Sequence, residues 1–194
     1  MPESDGLRIA VFCGARSGTV SSSTEAAREV GLLIGKRGHS LVYGAGGIGL
    51  MGEVAWAAHE QGAAITGIVP GFLRELEKDQ AAPEQELIVT GDMFDRKREM
   101  FDRADCFLAL PGGYGTLDEV IEVISHNYLG RNPRPLVLLD TDGEWTPLAV
   151  IIQDMITRGF ADELHETHLL IAHSPLDAVD TLEQQTRAVA CPAS

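Results

Sequence analysis

The sequence predicts one α/β domain, Rossmann-like and doubly wound, in which a mainly parallel sheet carries helices on both faces. Three observations support this prediction. Apolar runs alternate with helical patterns along the whole chain, as they do in sheets built from β-α-β units. Most of these runs are continuously apolar, which is typical of strands covered on both faces. No internal repeat or linker interrupts the 194 residues, so a single domain over residues 1–194 is expected.

The first half of the chain contains short apolar runs that end at glycine or proline, as buried strands do. The first helix is predicted by serines at its start and by Ala26, Val30 and Ile34, which fall on one helical face. Strands are expected over residues 7–13, 41–43 and 63–69, and helices over residues 21–37 and 49–61.

The second half repeats the alternation after a polar, irregular segment at residues 72–83, which predicts a loop with a short helical piece. Asp92 can cap a helix that extends to Arg103. Further strands are expected over residues 86–89, 106–110, 135–140 and 169–172, and further helices over residues 119–128, 145–158 and 175–186. Residues 1–6 and 188–194 are expected to be frayed.

Three glycine turns follow predicted strands, at residues 14–18, 44–49 and 112–115. In doubly wound folds, ligands bind beyond the carboxyl ends of the strands, where such turns lie. The third turn belongs to the stretch PGGYGT at residues 111–116, between an apolar run and a helical pattern. Glycines let backbone N–H groups approach a ligand, and a helix N-terminus favours negative charge. This turn therefore predicts a phosphate site.

The chain is strongly acidic, with a formal net charge of −14 at pH 7. Nucleic acids and anionic membranes attract basic surfaces, so neither is an expected partner. No apolar run approaches the roughly 20 residues of a membrane helix, and residues 1–6 are polar, unlike a signal peptide. We therefore expect a cytoplasmic protein. The densest basic stretch, Arg96, Lys97 and Arg98 with Arg103 nearby, is where a phosphate ligand would find positive charge.

The cysteine and histidine patterns predict neither a disulfide framework nor a metal site. Cys13, Cys106 and Cys191 are odd in number and widely spaced. No two histidines form an i, i+4 pair with carboxylate support, although His165 and His168 are three apart. The turn at residues 44–49 is not followed by the acidic residue of a nicotinamide-binding fingerprint. No cofactor is therefore expected, and this turn is equally compatible with a base or ribose contact and with close helix–strand packing.

Two long motifs, DMFDRKREM at residues 92–100 and PGGYGTLDE at residues 111–119, carry a family resemblance. Shorter matches support them: VFCG at residues 11–14, LVYG at 41–44, GLMG at 49–52 and GIVP at 67–70. Together they resemble the LONELY GUY (LOG) family of cytokinin riboside 5′-monophosphate phosphoribohydrolases, often mislabelled as lysine decarboxylases. Their order and spacing agree from about residue 8 to residue 160.

The resemblance implies hydrolysis of the N-glycosidic bond of a purine riboside 5′-monophosphate, AMP-like or N6-modified, to free base and ribose 5-phosphate. It also implies a homodimer whose sites use residues of both subunits. Arg96 and Glu119 are the implied catalytic pair. The implied substrate-binding residues are Glu77, Met93, Arg96, Lys97, Gly112, Gly113, Tyr114, Gly115, Thr116, Leu117, Asp118, Glu119 and Ser125.

The residue types suit this reaction, and each also has a plainer interpretation. N-glycosidic cleavage passes through an oxocarbenium-like sugar, which the carboxylate of Glu119, one helical turn beyond the phosphate turn, can stabilise. Glu119 is otherwise an ordinary acidic residue near a helix start. The planar guanidinium of Arg96 suits bidentate recognition, and helical spacing puts it on one face with Met93, Lys97 and Met100. The plainer alternative is a solvated basic face, and Arg98 points away.

Several positions depart from the family pattern. Phe94 stands where the family commonly has His, and His126 where it has Trp. Ala45 replaces a third glycine, and Ala15 and Arg16 replace two serines. These departures bear on base selectivity more than on reaction type.

Three further interpretations stay open. The same fold and turn could carry a nucleotide or molybdenum cofactor without cleaving it. A pyridoxal-dependent lysine decarboxylase would need a Schiff-base lysine, and Lys36, Lys78 and Lys97 lack a convincing setting for one. Glu122 and His126 share a helical face with Glu119 and could extend the site or face a partner subunit, although a solvated stripe explains them as well.

Overall fold

The computed structural model describes residues 6–77, 79–130, 133–163 and 169–190. His165 and His168, which are three residues apart in the sequence, lie outside these ranges, as do Lys78 and Cys191. Strands and helices alternate strictly along the chain. The strands are β1 (Arg8–Phe12), β2 (Ser40–Tyr43), β3 (Ile65–Pro70), β4 (Glu86–Thr90), β5 (Cys106–Ala109), β6 (Leu136–Leu139) and β7 (Leu170–Ala172). The helices are α1 (Ser21–Lys36), α2 (Gly49–Glu60), α3 (Gly71–Leu76), α4 (Met93–Arg103), α5 (Tyr114–Tyr128), α6 (Thr146–Thr157) and α7 (Pro175–Ala190).

The strands form one sheet in the order β4-β3-β2-β1-β5-β6-β7, and every pairing in it is parallel. The predicted doubly wound α/β class is therefore confirmed, and the sheet is parallel throughout its described strands. From β1 the chain builds outward to β4, and it then returns to place β5 on the other side of β1. β1 and β5 pair from Ile9 with Cys106 to Phe12 with Ala109. Their carboxyl ends form the topological switch point at which such folds bind ligands.

Two hydrophobic layers cover the sheet. One packs α1, α2 and α7 against one face, with Val30, Val54 and Leu182 among its fully buried residues. The other packs α4, α5 and α6 against the opposite face, with Met100 and Val120 in its interior. Strands covered in this way must be apolar on both sides, which is why β1, β5 and β6 read as continuous apolar runs.

The main correction to the predicted elements concerns α5, which begins at Tyr114 rather than at residue 119. Gly115 and Thr116 therefore belong to its first turn, where backbone N–H groups have no intrahelical partner. Glycines hid this start because they lower helix propensity, although their cost is small at a helix end. Similarly, α7 continues past residue 186 to Ala190, and β3 begins at Ile65 and includes Pro70. Other predicted boundaries lie within two residues of the observed ones.

None of the helices in the described part of the chain combines the length and apolarity that crossing a membrane would require.

Candidate active site

A cavity of about 700 Å³ opens at the carboxyl ends of β1, β2 and β5. It is lined by all three predicted glycine turns, so the turns lie together as their positions after parallel strands predicted. The lining residues are Val11, Cys13, Gly14, Ala15, Arg16, Ser17, Gly18, Ser23, Gly44, Leu50, Met51, Leu73, Glu77, Arg96, Met100, Pro111, Gly112, Gly113, Tyr114, Gly115, Thr116 and Glu119.

The loops after β1 and β5 are joined by backbone contacts at the floor of the cavity. The Gly14 N–H donates to the Pro111 carbonyl at 3.0 Å, and the Gly14 carbonyl accepts from the Met51 N–H at 3.2 Å. A Cβ on Gly14 would lie only 2.8 Å from the Arg16 carbonyl oxygen and 3.4 Å from the Gly112 Cα. Glycine at this position therefore lets the β1 loop fold back tightly on its own Arg16 carbonyl while it lies against the β5 turn.

The predicted phosphate turn ends in the first turn of α5. Gly113 is the N-cap residue of this helix and has extended backbone, and no side chain caps it. The first N–H groups of α5 are therefore available to an anion. Thr116 is buried against Gly112, at which an added Cβ would lie 2.1 Å from the Thr116 hydroxyl oxygen. The turn thus has the geometry of an anion cradle with one hydroxyl beside it.

Arg96 is held inside the protein by α4 and by a backbone acceptor. The Asp92 carboxylate caps α4 by accepting from the N–H groups of Phe94 and Asp95, both at 2.8 Å. The Arg96 Nε donates to the Ile68 carbonyl at 3.1 Å, and only 7 % of the residue is exposed. Gly44 makes room for the guanidinium, because a Cβ there would lie 2.0 Å from the Arg96 Nη2.

Glu119 lies opposite Arg96 and is 6 % exposed. The Arg96 Nη1 lies 3.7 Å from the Glu119 Oε1, an ion pair that is too long to be a hydrogen bond. Burial raises the pKa of Glu119 to about 7, against the opposing effect of Arg96. No hydrogen bond from the described part of the chain reaches this carboxyl group, so its oxygens are available to water or substrate. The predicted catalytic pair is thus brought together, next to the predicted phosphate turn.

Two other ionisable groups line the cavity near this pair. Burial raises the pKa of Glu77, at the end of α3, although Arg96 acts in the opposite direction. Burial also raises the pKa of the Cys13 thiol well above its usual range, with a contribution from Glu119 in the same direction. The thiol therefore stays protonated and is a packing group of the cavity wall rather than a nucleophile.

Five of the predicted substrate-binding residues do not line this cavity: Met93, Lys97, Leu117, Asp118 and Ser125. Lys97 is buried but pairs with the carboxylates of Asp118, at 3.0 Å, and Glu122. Burial alone would lower the pKa of Lys97, but the two carboxylates reverse this and raise it. Leu117, Asp118 and Ser125 are on the exposed side of α5, and Met93 is half-buried.

A second cavity, of about 410 Å³, lies between α4 and α5. Phe94 and His126, the two positions that depart from the family pattern near the expected base, both line it. Phe94 is 73 % exposed and lies under the Lys97 ammonium group, whose Nζ is 5.6 Å from the ring centroid. His126 packs at 5.3 Å, centroid to centroid, against Phe101. Arg98 also lines this cavity and pairs with Asp95, away from Glu119 as predicted.

Sequence reasoning missed several lining residues, chiefly Arg16, Ser23 and Leu73. Arg16 and Ser23 follow β1, in the first of the three glycine turns and in the helix after it. Their position after a central strand was the available signal. Leu73 belongs to α3, which no motif marks, so nothing in the sequence pointed to it.

Ala45 is the single described non-glycine residue with positive φ, at 63°. This left-handed conformation explains why the family commonly has glycine there, because only glycine adopts it without steric strain. Gly44 and Ala45 therefore belong to a tight turn that both accommodates Arg96 and lines the cavity.

The described residues contain no group of three His, Cys, Asp or Glu side chains able to hold a metal ion. His39 is buried for a structural reason: its Nδ1 accepts from the Leu7 N–H at 3.1 Å, and its Nε2 lies 2.9 Å from Glu183.

Comparisons with known proteins identify related sequences. A family model described as "possible lysine decarboxylase" matches residues 51–182. Cytokinin riboside 5′-monophosphate phosphoribohydrolase LOG3 of Arabidopsis thaliana is 39% identical over 186 residues, 95% of this chain and 85% of the relative. The enzyme LOG of Oryza sativa subsp. japonica is 40% identical over 177 residues, 91% of this chain and 73% of the relative.

Solved structures of lower identity share the fold. The Moco carrier protein of Chlamydomonas reinhardtii superposes with a TM-score of 0.69 at 22% identity, over 94% of this chain and 98% of that one. The molybdenum cofactor binding protein of Rippkaea orientalis superposes with a TM-score of 0.70 at 20% identity, over the same shares.

Proposed function

Because the chain belongs to the LOG family of cytokinin riboside 5′-monophosphate phosphoribohydrolases, we propose that it hydrolyses the N-glycosidic bond of purine riboside 5′-monophosphates. The substrates are AMP or its N6-modified forms, and the products are the free base and ribose 5-phosphate. The proposal requires a site that holds a phosphate, encloses a ribose and presents a carboxylate to its anomeric carbon. The large cavity supports the proposal, because it is lined by the uncapped N-terminus of α5 and by the carboxyl group of Glu119.

Binding begins with the 5′-phosphate at the N-terminus of α5. The backbone N–H groups at Gly113 to Thr116 and the Thr116 hydroxyl act as donors to its oxygens. The helix dipole favours the negative charge at this end. Once the phosphate is held, the attached ribose extends into the cavity toward Glu119, one helical turn further along α5, and toward Arg96 of α4 opposite it.

The chemical step then depends on Glu119. As the C1′–N bond of the nucleotide breaks, positive charge develops on the ribose, and the ionised carboxylate stabilises it. The same carboxylate can accept a proton from a water molecule whose oxygen bonds to C1′. The departing base nitrogen takes up a proton, so that the net reaction adds one water. Arg96 orients Glu119 and keeps part of its population ionised despite burial.

The observation that carries this proposal is the state of Glu119. It is buried at the cavity wall, faces a guanidinium 3.7 Å away and accepts no hydrogen bond from the described residues. A carboxylate that served only stability would ordinarily be fully hydrogen-bonded or exposed. Such a poorly compensated acid beside a phosphate turn is typical of a reacting group.

The test measures, by chromatography, the free base that purified wild type and Glu119→Gln protein release from AMP and from N6-isopentenyl-AMP. The amide keeps the shape of the side chain but cannot ionise. We expect turnover to fall by at least 100-fold while nucleotide affinity changes little. Glu99→Gln, which removes an exposed carboxylate of α4 that lines neither cavity, should retain activity. A Glu119→Gln protein as active as wild type would refute the mechanism.

Two other activities give different results in the same assay. A carrier of a nucleotide or molybdenum cofactor would retain bound ligand without releasing base. A lysine decarboxylase would require a lysine that loses its proton easily, whereas Lys97 is paired with two carboxylates that raise its pKa. Lys97 is therefore not prepared to form a Schiff base.

The proposed active form is a homodimer in the cytoplasm. Leu117, Asp118 and Ser125, implied in binding by the family resemblance, lie on the exposed side of α5 beyond the cavity. A partner subunit packed on that side would bring these residues into a shared site. The described thiols of Cys13 and Cys106 are free and buried, which suits a reducing compartment.

A further inference from the structure

We propose that Arg16 is the positive charge that neutralises the 5′-phosphate and makes the site select phosphorylated nucleosides. This inference rests on the proposed function, because it names the residue that recognises one end of the same substrate. Neither the basic motif at residues 96–98 nor the phosphate turn itself supplies this charge.

The first step of the argument is the distribution of charge in the cavity. A nucleoside monophosphate brings about two negative charges into a protein of net charge −14. Two cations line the cavity, Arg96 and Arg16. Arg96 is already bound to the Ile68 carbonyl and faces Glu119. Lys97 lies outside the cavity and is neutralised by two carboxylates of α5. Arg16 makes no ion pair with any described residue, so its charge is available.

The second step is position. Arg16 follows Gly14 by two residues, and the Gly14 N–H is hydrogen-bonded to Pro111 at the start of the phosphate turn. The Gly14 backbone also lies against Gly112. The Arg16 side chain therefore starts beside the turn and can span the short distance to an anion on α5. An exposed arginine with its planar fork suits a bidentate contact with phosphate oxygens.

The third step is an unused donor on α1, seven residues after Arg16 and in the lining of the same cavity. Ser23 is 7 % exposed, lines the cavity and makes no hydrogen bond within the described part of the chain. Its hydroxyl oxygen is not one of the fully buried polar atoms without a partner among the described residues, so it opens on the cavity and can donate to a ligand there. It lies in the first turn of α1, whose N-terminus has no side-chain cap. The phosphate is thus expected between the N-termini of α5 and α1, with Arg16 over it.

The experiment measures binding of AMP and of adenosine by calorimetry to Glu119→Gln protein, which should bind AMP without turnover, and to the same protein carrying Arg16→Ser, Arg16→Lys or Arg28→Ser. Arg28→Ser is the matched control, because it removes the same charge from the exposed side of α1. We expect Arg16→Ser to weaken AMP binding by about 10- to 100-fold, the range of a lost charge-assisted contact. Adenosine binding should change by less than twofold, and Arg16→Lys should recover part of the loss. Arg28→Ser should bind AMP as tightly as the Glu119→Gln protein without it.

An equal loss for AMP and adenosine would overturn the proposal, since Arg16 would then shape the site rather than bind phosphate. So would unchanged AMP binding by Arg16→Ser, or an equal loss in Arg28→Ser, which would indicate a long-range field. These readouts need no turnover. A wild type that binds AMP through Arg16 but releases no base would refute the proposed function alone, whereas a wild type that binds no AMP would refute both.

Discussion

Glu119 combines the two properties that matter most at the scale of single residues. Its burial favours the neutral form of the carboxyl group, and Arg96 at 3.7 Å favours the ionised form. Burial is the larger effect, so the pKa is raised to about 7 and both forms are populated near neutral pH. A pKa near the working pH suits a group that must be ionised when the ribose gains positive charge.

The pH dependence of base release follows from this shift. If the ionised form of Glu119 is required, kcat/KM should fall as pH drops below about 7, tenfold per pH unit. The direction is opposite for a general acid, whose activity would fall as pH rises through the same value. Steady-state rates of AMP hydrolysis between pH 5 and pH 9, corrected for the second ionisation of the phosphate near pH 6, distinguish the two. A profile that declines above pH 7 would contradict the carboxylate role.

Sequence reasoning identified Glu119 and Arg96 from the motifs that carry them, but not the environment that determines their chemistry. The pKa of Glu119 is raised by burial in a cavity that is also lined by Cys13 and Gly44, which come from distant parts of the chain. The availability of Arg16 could not be predicted either. It depends on which other cations are paired in space, and Lys97 looks as free as Arg16 in the sequence.

At the scale of elements, α4 connects the sequence pattern to the site. Asp92 at its N-cap accepts two backbone hydrogen bonds of 2.8 Å, as the sequence predicted. The helix is largely polar and buries Arg96, Lys97 and Met100 on one face. The N-terminus of α4 is therefore stabilised by the Asp92 cap. Its middle is fixed mainly by the buried Arg96 and Lys97 rather than by a broad apolar surface.

We expect Asp92→Ala to lower the free energy of unfolding by about 1 kcal/mol, because the first N–H groups of α4 lose their acceptor. Urea denaturation of wild type and variant measures this difference. Asp92→Asn keeps a side-chain acceptor and is the matched control, with a loss of less than half that size. Equal stability of Asp92→Ala and wild type would mean that water replaces the cap at no cost.

Most strands were predictable because strands of a sheet covered on both faces are continuously apolar. Most helices were predictable because the face that packs on the sheet repeats with helical periodicity. The start of α5 was not, since Gly113 and Gly115 resemble a loop in sequence. The structure shows that Gly113 is the N-cap of α5 and that Gly115 lies in its first turn, where no side chain accepts a hydrogen bond from the backbone N–H groups. The predicted start of α5, residue 119, is therefore wrong by five residues. The error falls at the site itself, where glycines serve the approach of a ligand rather than helix propensity.

At the scale of the whole molecule, one layer of helices leaves apolar surface uncovered. α6 buries only Leu148 among its described residues and exposes Val150, Ile151 and Met155. α5 lies on the same side of the sheet and exposes Leu117 and Ile121. Exposed apolar surface on two helices of one layer is typical of an interface between subunits, which agrees with the proposed homodimer.

Ile151→Lys should therefore shift the protein from dimer to monomer, because an ammonium group cannot be buried at an apolar contact without a partner. Light scattering after gel filtration measures the mass, which should fall from twice 20.9 kDa toward 20.9 kDa. Val189→Lys, on α7 and the opposite layer, is the control and should leave the dimer intact. A wild type that is already monomeric at micromolar concentration would contradict the proposed assembly.

The reversal of strand order between β1 and β5 has a consequence for how the protein tolerates change. The cavity is walled mostly by turns and helix ends, while the strands behind it are sealed by two separate hydrophobic layers. Replacing an exposed turn residue such as Arg16 removes few core contacts. Substitutions of such lining residues can therefore change the substrate preference without requiring a compensating substitution in the sheet. The stability of the fold then places few limits on which ligands the cavity binds.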